Sequence, residues 1–270
     1  MKELFFILFA LYGLSTIGRS KHPDAKKLQG WSYAHRGLHN KEAGIPENSL
    51  AAFRAAVEGG FGAELDVHLL KDGSLAVFHD SNLQRITGKE GRIEDLTTDD
   101  LKNYRLCGTE ETIPTFREVL DTFAGKTPLI IELKAVDNNH AALCKAACDA
   151  MEGYEGLWCM ESFDPRCLHW LRKHRPDIIR GQLPEDFFAT INPPPIPGVL
   201  KFCLKHNLFN FLILPDFVSY KFTDRNHTLT NAVWRKIWDV QGVTWTLRSR
   251  EEYDAAVKEG WLPIFEGFRP

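Results

Sequence analysis

The stretch from Gly62 to Asp80 reads GAELDVHLLKDGSLAVFHD, and its reading decides the fold. Gly62–Leu69 alternates as a β-strand. Lys71-Asp72-Gly73 is a tight turn, and residues 75–78 form a second strand-like run. A two-residue Asp-Gly turn joins antiparallel strands, not a parallel pair. The second run is therefore expected to fold back on the first as a hairpin at the rim of a larger sheet. That hairpin ends in His79-Asp80. Glu64 and Asp66 stand two residues apart, so strand geometry aims both carboxylates at one face.

Outward from this hairpin the chain alternates strand-like with helix-like runs, the pattern of α/β folds. Residues 31–34, 128–133, 157–163, 178–183, 209–214, 243–247 and 263–265 read as strands. Residues 48–58, 141–151, 165–174 and 250–259 read as helices. With the hairpin strand set aside, eight strand starts remain: Trp31, Gly62, Pro128, Leu157, Ile178, Phe209, Val243 and Pro263. That count predicts a closed (β/α)8 TIM barrel over residues 29–270. Two stretches interrupt the rhythm. Residues 81–115 are charged and weakly periodic, and are expected to form a cap-like excursion above the barrel with its own small helix. Residues 191–198 carry Pro193, Pro194 and Pro195, which cannot donate to a ladder, and read as a loop.

Barrel enzymes place their chemistry at the C-terminal ends of strands. There this chain offers His35-Arg36-Gly37, Glu64, Asp66, His79-Asp80, and Glu132 with Lys134. Carboxylates packed so closely repel or protonate unless a cation lies between them. An all-oxygen set suits Mg²⁺ or Ca²⁺ better than zinc. Glu132 and Lys134 can also be read as a plain salt bridge, and Trp245 reads equally as core or as a wall of the cleft.

The ordered set His35-Arg36-Gly37, Pro46-Glu47-Asn48-Ser49, Glu64-Leu65-Asp66-Val67, Lys71-Asp72-Gly73, His79-Asp80 and Glu132-Leu133-Lys134 resembles the glycerophosphodiester phosphodiesterases. Ser162-Phe163 and Trp245-Thr246 also look like strand ends of that family. The resemblance implies hydrolysis of glycerophosphodiesters to sn-glycerol 3-phosphate and an alcohol, with dependence on a divalent cation. By it, Glu64, Asp66 and Glu132 match the metal ligands, and His35 and His79 the acid–base pair. Arg36 matches the phosphate contact, Lys134 looks like a further anion contact, and Trp245 stands near the substrate. The final strand departs from the family pattern. In place of an Asp-Gly-Ile-Ile-Thr-Asp type of ending, the chain has Pro263-Ile264-Phe265-Glu266-Gly267, which puts its acidic contribution in doubt. A phospholipase D-type activity on (lyso)phospholipid head groups is the alternative within enzymes. A phosphodiester-binding module without turnover is the alternative outside them, and the retained histidines argue against it.

Composition narrows the classes further. Hydrophobic residues at 44% and charged residues at 26% support a sizeable core and exclude disorder, collagen or a disulfide mini-scaffold. Lys+Arg 33 against Asp+Glu 36, a formal charge of -3, gives no basic excess for a nucleic-acid partner. The six cysteines form no C-x-x-C pair and are expected to be buried free thiols, Cys144 and Cys148 on one helix face. Residues 1–20 form a hydrophobic leader: from Leu4 to Ile17 no charge occurs. The run is short of the ~20 residues of a spanning helix and close to a signal-peptide core. Arg19, Lys21, Lys26 and Lys27 follow it, so positive-inside logic predicts membrane association with the barrel in the cytoplasm. Export by a signal peptide or anchor is the alternative.

Overall fold

The structure, a computed structural model, describes residues 2–19, 22–188, 196–225, 235 and 238–270. Eight parallel strands close into a barrel: β1 (Tyr33–Ala34), β2 (Gly62–Leu69), β4 (Leu129–Leu133), β5 (Trp158–Ser162), β6 (Arg180–Gln182), β7 (Phe217–Lys221), β8 (Gln241–Leu247) and β9 (Leu262–Phe265). β1 pairs with both β2 and β9, which completes the ring. β3 (Leu75–Val77) lies antiparallel on the upper end of β2, as the Asp72-Gly73 turn requires.

The chain begins with helix α1 (Lys2–Ser15). Around the barrel run α2 (Leu50–Glu58), α5 (Phe116–Phe123), α6 (His140–Ala150), α7 (Pro165–His174), α8 (Gly198–Lys205), α9 (Asn210–Ile213) and α10 (Arg250–Lys258). Their starts are set locally. Ser49 caps α2 by accepting from Ala52 N at 3.1 Å, and Asp164 caps α7, whose first residue is Pro165. Between barrel and helices lies the main core, with Phe53, Leu65, Val67, Phe116, Phe123, Leu129, Ile131, Leu143 and Cys144 fully buried.

Inside the barrel a second apolar layer holds Tyr33, Ile130, Cys159, Phe217, Val243 and Ile264. Two glycines make room for its rings: a Cβ on Gly181 would meet the Phe217 ring at 2.0 Å, and one on Gly62 the Tyr33 ring at 2.8 Å. This layer is a packed floor. The polar residues of the lumen stand above it.

One strand is not where the sequence pattern puts it. Residues 209–214 form the helical turn α9, and the seventh strand is Phe217–Lys221. A short apolar run does not by itself separate strand from buried helix. Phe211 and Leu212 are exposed here, and their carbonyls accept from Arg172 instead of a neighbouring strand. Leu214, at φ 41, ends the turn.

Between β3 and α5 the chain leaves the barrel and builds α3 (Gln84–Thr87) and α4 (Thr98–Leu101) on an apolar cluster of their own. That cluster includes Leu83, Ile86, Ile93, Leu101 and Leu106. The cysteines are free; Cys144, Cys148, Cys159 and Cys167 are buried, but Cys107 is exposed in this excursion, against expectation. Pro193, Pro194, Pro195 and Lys21 lie outside the described residues.

α1 is apolar on all sides, and Leu4, Phe6, Ile7, Leu8, Leu11 and Leu14 are exposed. At ~1.5 Å per residue it is about 21 Å long, and among the described residues no helix is long and apolar enough to cross a membrane. Its base is fixed to the barrel: Arg19 forks onto Asp216 at 2.6 and 2.7 Å and donates to the carbonyls of Pro176 and Ile178.

Candidate active site

The site assembles at the C-terminal end of the barrel. His35 leaves β1 with its amide on the Phe265 carbonyl of β9 at 2.9 Å. Arg36 (φ 53) and Gly37 (φ 81) then turn the chain sharply back. A Cβ at Gly37 would meet Ala52 Cβ at 2.9 Å, so only glycine fits. The turn is closed by Asn48 N donating to the Arg36 carbonyl at 2.9 Å. His35-Arg36-Gly37 and Pro46-Glu47-Asn48-Ser49 are therefore two sides of one structure.

Glu64 and Asp66 on β2 and Glu132 on β4 point into the lumen, with Asp66 and Glu132 in register across the two strands. One oxygen from each lies within 4.8 Å of the others, and all three residues are buried. Burial, then repulsion from Asp66 and Glu132, pushes the Glu64 carboxyl well above the usual range. Burial also raises Glu132, with Lys134 opposing. Burial acts against charge on Asp66 too, yet Lys134, His79 and Arg36 hold it well below its ordinary value.

Lys134 Nζ contacts Glu132 at 2.7 Å and Asp66 at 2.9 Å. Asn48 Nδ2 donates to Asp66 Oδ2 at 2.9 Å, and the Arg36 amide to Glu64 Oε2 at 3.1 Å. Three buried carboxylates carrying hard oxygen donors, with a single ammonium among them, fit a divalent cation.

Each candidate histidine has its own carboxylate. His79 Nδ1 is 2.6 Å from Asp80 Oδ1. The hairpin delivers it: Phe78 N donates to the Asp66 carbonyl at 3.0 Å, which sets the next residue beside the carboxylates. His35 Nδ1 bonds Glu266 Oε2, and its Nε2 lies 3.8 Å from Glu64. Burial pushes His35 down to about 4, against the opposing pull of Glu266. Glu266 itself is held well below the usual carboxylate range by His35 and His39, in spite of burial.

The divergent final strand thus supplies the acid whose presence the sequence left in doubt. The signal was Glu266 one residue beyond β9, legible once β9 is paired with β1. Four other residues of the site had no role assigned from the sequence. His68 is buried, with Nδ1 on Glu94 at 2.9 Å and Nε2 on the His79 carbonyl at 3.2 Å. Arg85 and Glu47 join Asp80 to Arg36. Glu161 on β5 lies across from Glu132, buried; burial and then Glu132 push its carboxyl well up.

Trp245 is partly exposed. It donates to the Ser219 carbonyl at 3.1 Å and meets the Phe163 ring edge-on at 5.9 Å. It also lines a cleft of about 340 Å³ with His35, Arg36, Lys221, Phe222 and Arg248.

Residues 35–185 match the model of the Glycerophosphoryl diester phosphodiesterase family. A glycerophosphodiester phosphodiesterase of Caldanaerobacter subterraneus subsp. tengcongensis is 34% identical over 162 residues, 56% of this chain and 65% of that protein. Lysophospholipase D GDPD1 of Rattus norvegicus is 40% identical over 119 residues, 39% of this chain and 36% of that protein. The chain thus spans less than two thirds of the length of either relative. Among solved structures, an Oleispira antarctica phosphodiesterase in complex with the product sn-glycerol-3-phosphate superposes with a TM-score of 0.72 at 22% identity. That match covers 90% of this chain and 94% of that chain. At that identity the likeness establishes the barrel fold.

Proposed function

Because the chain belongs to the glycerophosphoryl diester phosphodiesterase family, we propose that it hydrolyses glycerophosphodiesters to sn-glycerol 3-phosphate and an alcohol. One observation carries this reading: two imidazoles, each tied through Nδ1 to a separate carboxylate, stand at a mouth that also holds three buried carboxylates and Arg36. In this reading Glu64, Asp66 and Glu132 hold Mg²⁺ or Ca²⁺. Such a cation, when bound, supplies positive charge against the phosphodiester oxygens.

The chain's own groups do the rest. A phosphodiester resists attack because its anionic oxygens repel the nucleophile. Arg36 offers a planar fork that neutralises charge building on those oxygens in the transition state. Lys134 keeps Asp66 and Glu132 oriented and adds a second cation near the phosphate. A carboxylate at Nδ1 keeps the hydrogen there and leaves the lone pair on Nε2. One histidine then takes the proton from the attacking hydroxyl at Nε2, and the other, protonated, delivers one to the leaving alkoxide. Trp245 and the cleft beside it form a wall for the glycerol or alcohol portion.

A lysophospholipid substrate is the second reading. It is favoured by the 40% identical lysophospholipase D and by the exposed apolar surface of α1. α1 lies in a lipid surface in this view, with the barrel on the cytoplasmic side. Flotation of the full chain with anionic vesicles tests that placement, and recovery without vesicles, or processed and exported, counts against it. Residues 29–270 are then the catalytic unit, with 81–115 as its cap.

The decisive experiment incubates the purified chain with glycerophosphocholine and with lysophosphatidylcholine, with and without EDTA. Release of sn-glycerol 3-phosphate from the first, abolished by EDTA and restored by Mg²⁺ or Ca²⁺, is expected. Preference for the second selects the lipase reading. Turnover of neither in the presence of metal overturns both.

A further inference from the structure

A continuous series of side chains runs from the guanidinium of Arg36 to the ring of His79. Arg36 Nη1 donates to Glu47 Oε1 at 2.7 Å. Glu47 accepts two further bonds from Arg85, Nη2 to Oε1 at 2.8 Å and Nη1 to Oε2 at 3.0 Å. Arg85 Nε donates to Asp80 Oδ2, and Asp80 Oδ1 receives His79 Nδ1 at 2.6 Å. Every nitrogen of the Arg85 fork is used, and two carboxylates are held at once.

Arg85 stands on α3, in the excursion outside the barrel, and its side chain is 46% exposed. All its side-chain bonds go to Glu47 and Asp80, so it acts through the carboxylate beside His79 and the one beside Arg36. The His79 backbone is already fixed, because its carbonyl bonds His68 and the Phe78 amide bonds the Asp66 carbonyl. What remains free is the rotation of the ring and of the Asp80 carboxylate that orients it. Asp80 is itself partly exposed, and without a partner on Oδ2 it can swing toward water. A planar guanidinium holding two carboxylates fixes that rotation, whereas a point charge does not.

We infer that Arg85 is a positioning residue for His79: anchored on Glu47, it clamps Asp80 so that the imidazole keeps its hydrogen on Nδ1 and presents Nε2 to the substrate. The role of His79 in turnover rests on the proposed phosphodiesterase reading; the orientation of its ring does not. The test therefore has a spectroscopic arm and a kinetic arm, both on the full chain.

Imidazole ¹⁵N spectra of the wild type should show His79 as the Nδ1-protonated tautomer, and Arg85→Ala should show it mixed or inverted. With glycerophosphocholine and Mg²⁺, Arg85→Ala should lower kcat about tenfold, a part of the ~10²–10⁴ that acid–base help supplies, while KM stays within about threefold. Added guanidinium should return part of the rate, and Arg85→Lys should fall between the two. In a His79→Ala background, Arg85→Ala should change the residual rate less than about twofold, because residues acting as one unit are not additive. The melting temperature should stay within about 3 °C of the wild type, as for other exposed substitutions.

An unchanged His79 tautomer in Arg85→Ala overturns the inference, even if the wild type turns over no glycerophosphodiester; that second result would sink the proposed activity alone. A full multiplicative loss in the His79→Ala background, or a loss confined to KM, also overturns it. If Arg85→Ala folds poorly, Arg85→Lys decides by the same tautomer and kcat readouts.

Discussion

Replacing Glu266 with Gln isolates what the final strand gives to His35. The His35 and Glu266 side chains are 12% and 20% exposed, so their hydrogen bond is charge-assisted and largely shielded from water. Such a bond is worth about 1.5–3 kcal/mol. At about 1.36 kcal/mol per tenfold in rate, its loss in the step where His35 carries charge predicts a fall in kcat of about 10- to 150-fold. The direction is reinforced by the surroundings. Burial already pushes His35 down to about 4, and Glu266 is what opposes it. A glutamine amide can also donate to Nδ1 and so favour the wrong tautomer. KM should change little, because Arg36 is untouched. Glu266→Asp keeps the charge one methylene short and should be intermediate. The assay is release of sn-glycerol 3-phosphate from glycerophosphocholine under saturating and limiting substrate. A kcat within twofold of wild type for Glu266→Gln, or a loss wholly in KM, would refute the assignment of Glu266 to His35.

Three further outcomes are expected. His79→Ala should cost about a hundredfold or more in kcat while equilibrium binding of sn-glycerol 3-phosphate survives; near-normal rates would sink the acid–base pair. Metal at about a hundred times its Kd should stabilise the wild type by about 2.7 kcal/mol, raising the melting temperature about 5–10 °C. Glu132→Gln should lose most of that gain, and a wild type whose melting ignores both metal and EDTA would dissolve the metal site. Asp72 accepts from the Ser74 hydroxyl, from Thr98 N at 2.8 Å and from Ser74 N at 3.1 Å, and although burial pushes its carboxyl up, these bonds bring it from 3.8 to about 2. A depressed folded value stabilises fully above the unfolded one and is lost as pH falls through the folded one. The gap in urea midpoint between wild type and Asp72→Asn should hold down to about pH 4 and shrink toward about pH 2. A gap that persists undiminished below pH 3 would contradict it.

What could be read from the sequence follows the range of the forces involved. Local signals were enough for β2 and α7, whose bounds are as read. The alternation of residues 62–69, and Asp164 with Pro165, act within one turn or one pleat. The seventh strand failed because residues 209–214 are more apolar than Phe217–Lys221, which contains Ser219 and ends in an exposed Lys221. Apolarity there reports packing of α9 against α7 and not a place in the barrel. The carboxylate cluster was legible because Glu64 and Asp66 stand two apart on the alternating β2, and Glu132 ends the continuous apolar run of β4. The partners of the histidines divide in the same way. Asp80 adjoins His79 in the chain, but Glu266 reaches His35 across 231 residues, only after β9 closes on β1. Arg85 had no sequence signal: its two carboxylates lie five and 38 residues away, with no helical or strand spacing to link them.

Closure of the barrel also explains how so much charge is tolerated inside it. The floor of Tyr33, Ile130, Phe217, Val243 and Ile264 is apolar and tightly packed, so the carboxylates above it face low dielectric on one side and the open mouth on the other. Glu161 shows the limit of that tolerance. Buried, beside Glu132 and, among the described residues, without a hydrogen-bond partner on Oε2, its carboxyl is driven upward. Asp66 escapes the same fate because Lys134 and Arg36 face it. Around the cluster itself, the three carboxylates face the Lys134 ammonium and the Arg36 guanidinium, and the raised Glu64 and Glu132 carboxyls show how poorly the pocket holds all three charges unaided. A divalent cation held by the three carboxylates would relieve that repulsion, as the proposed reading requires.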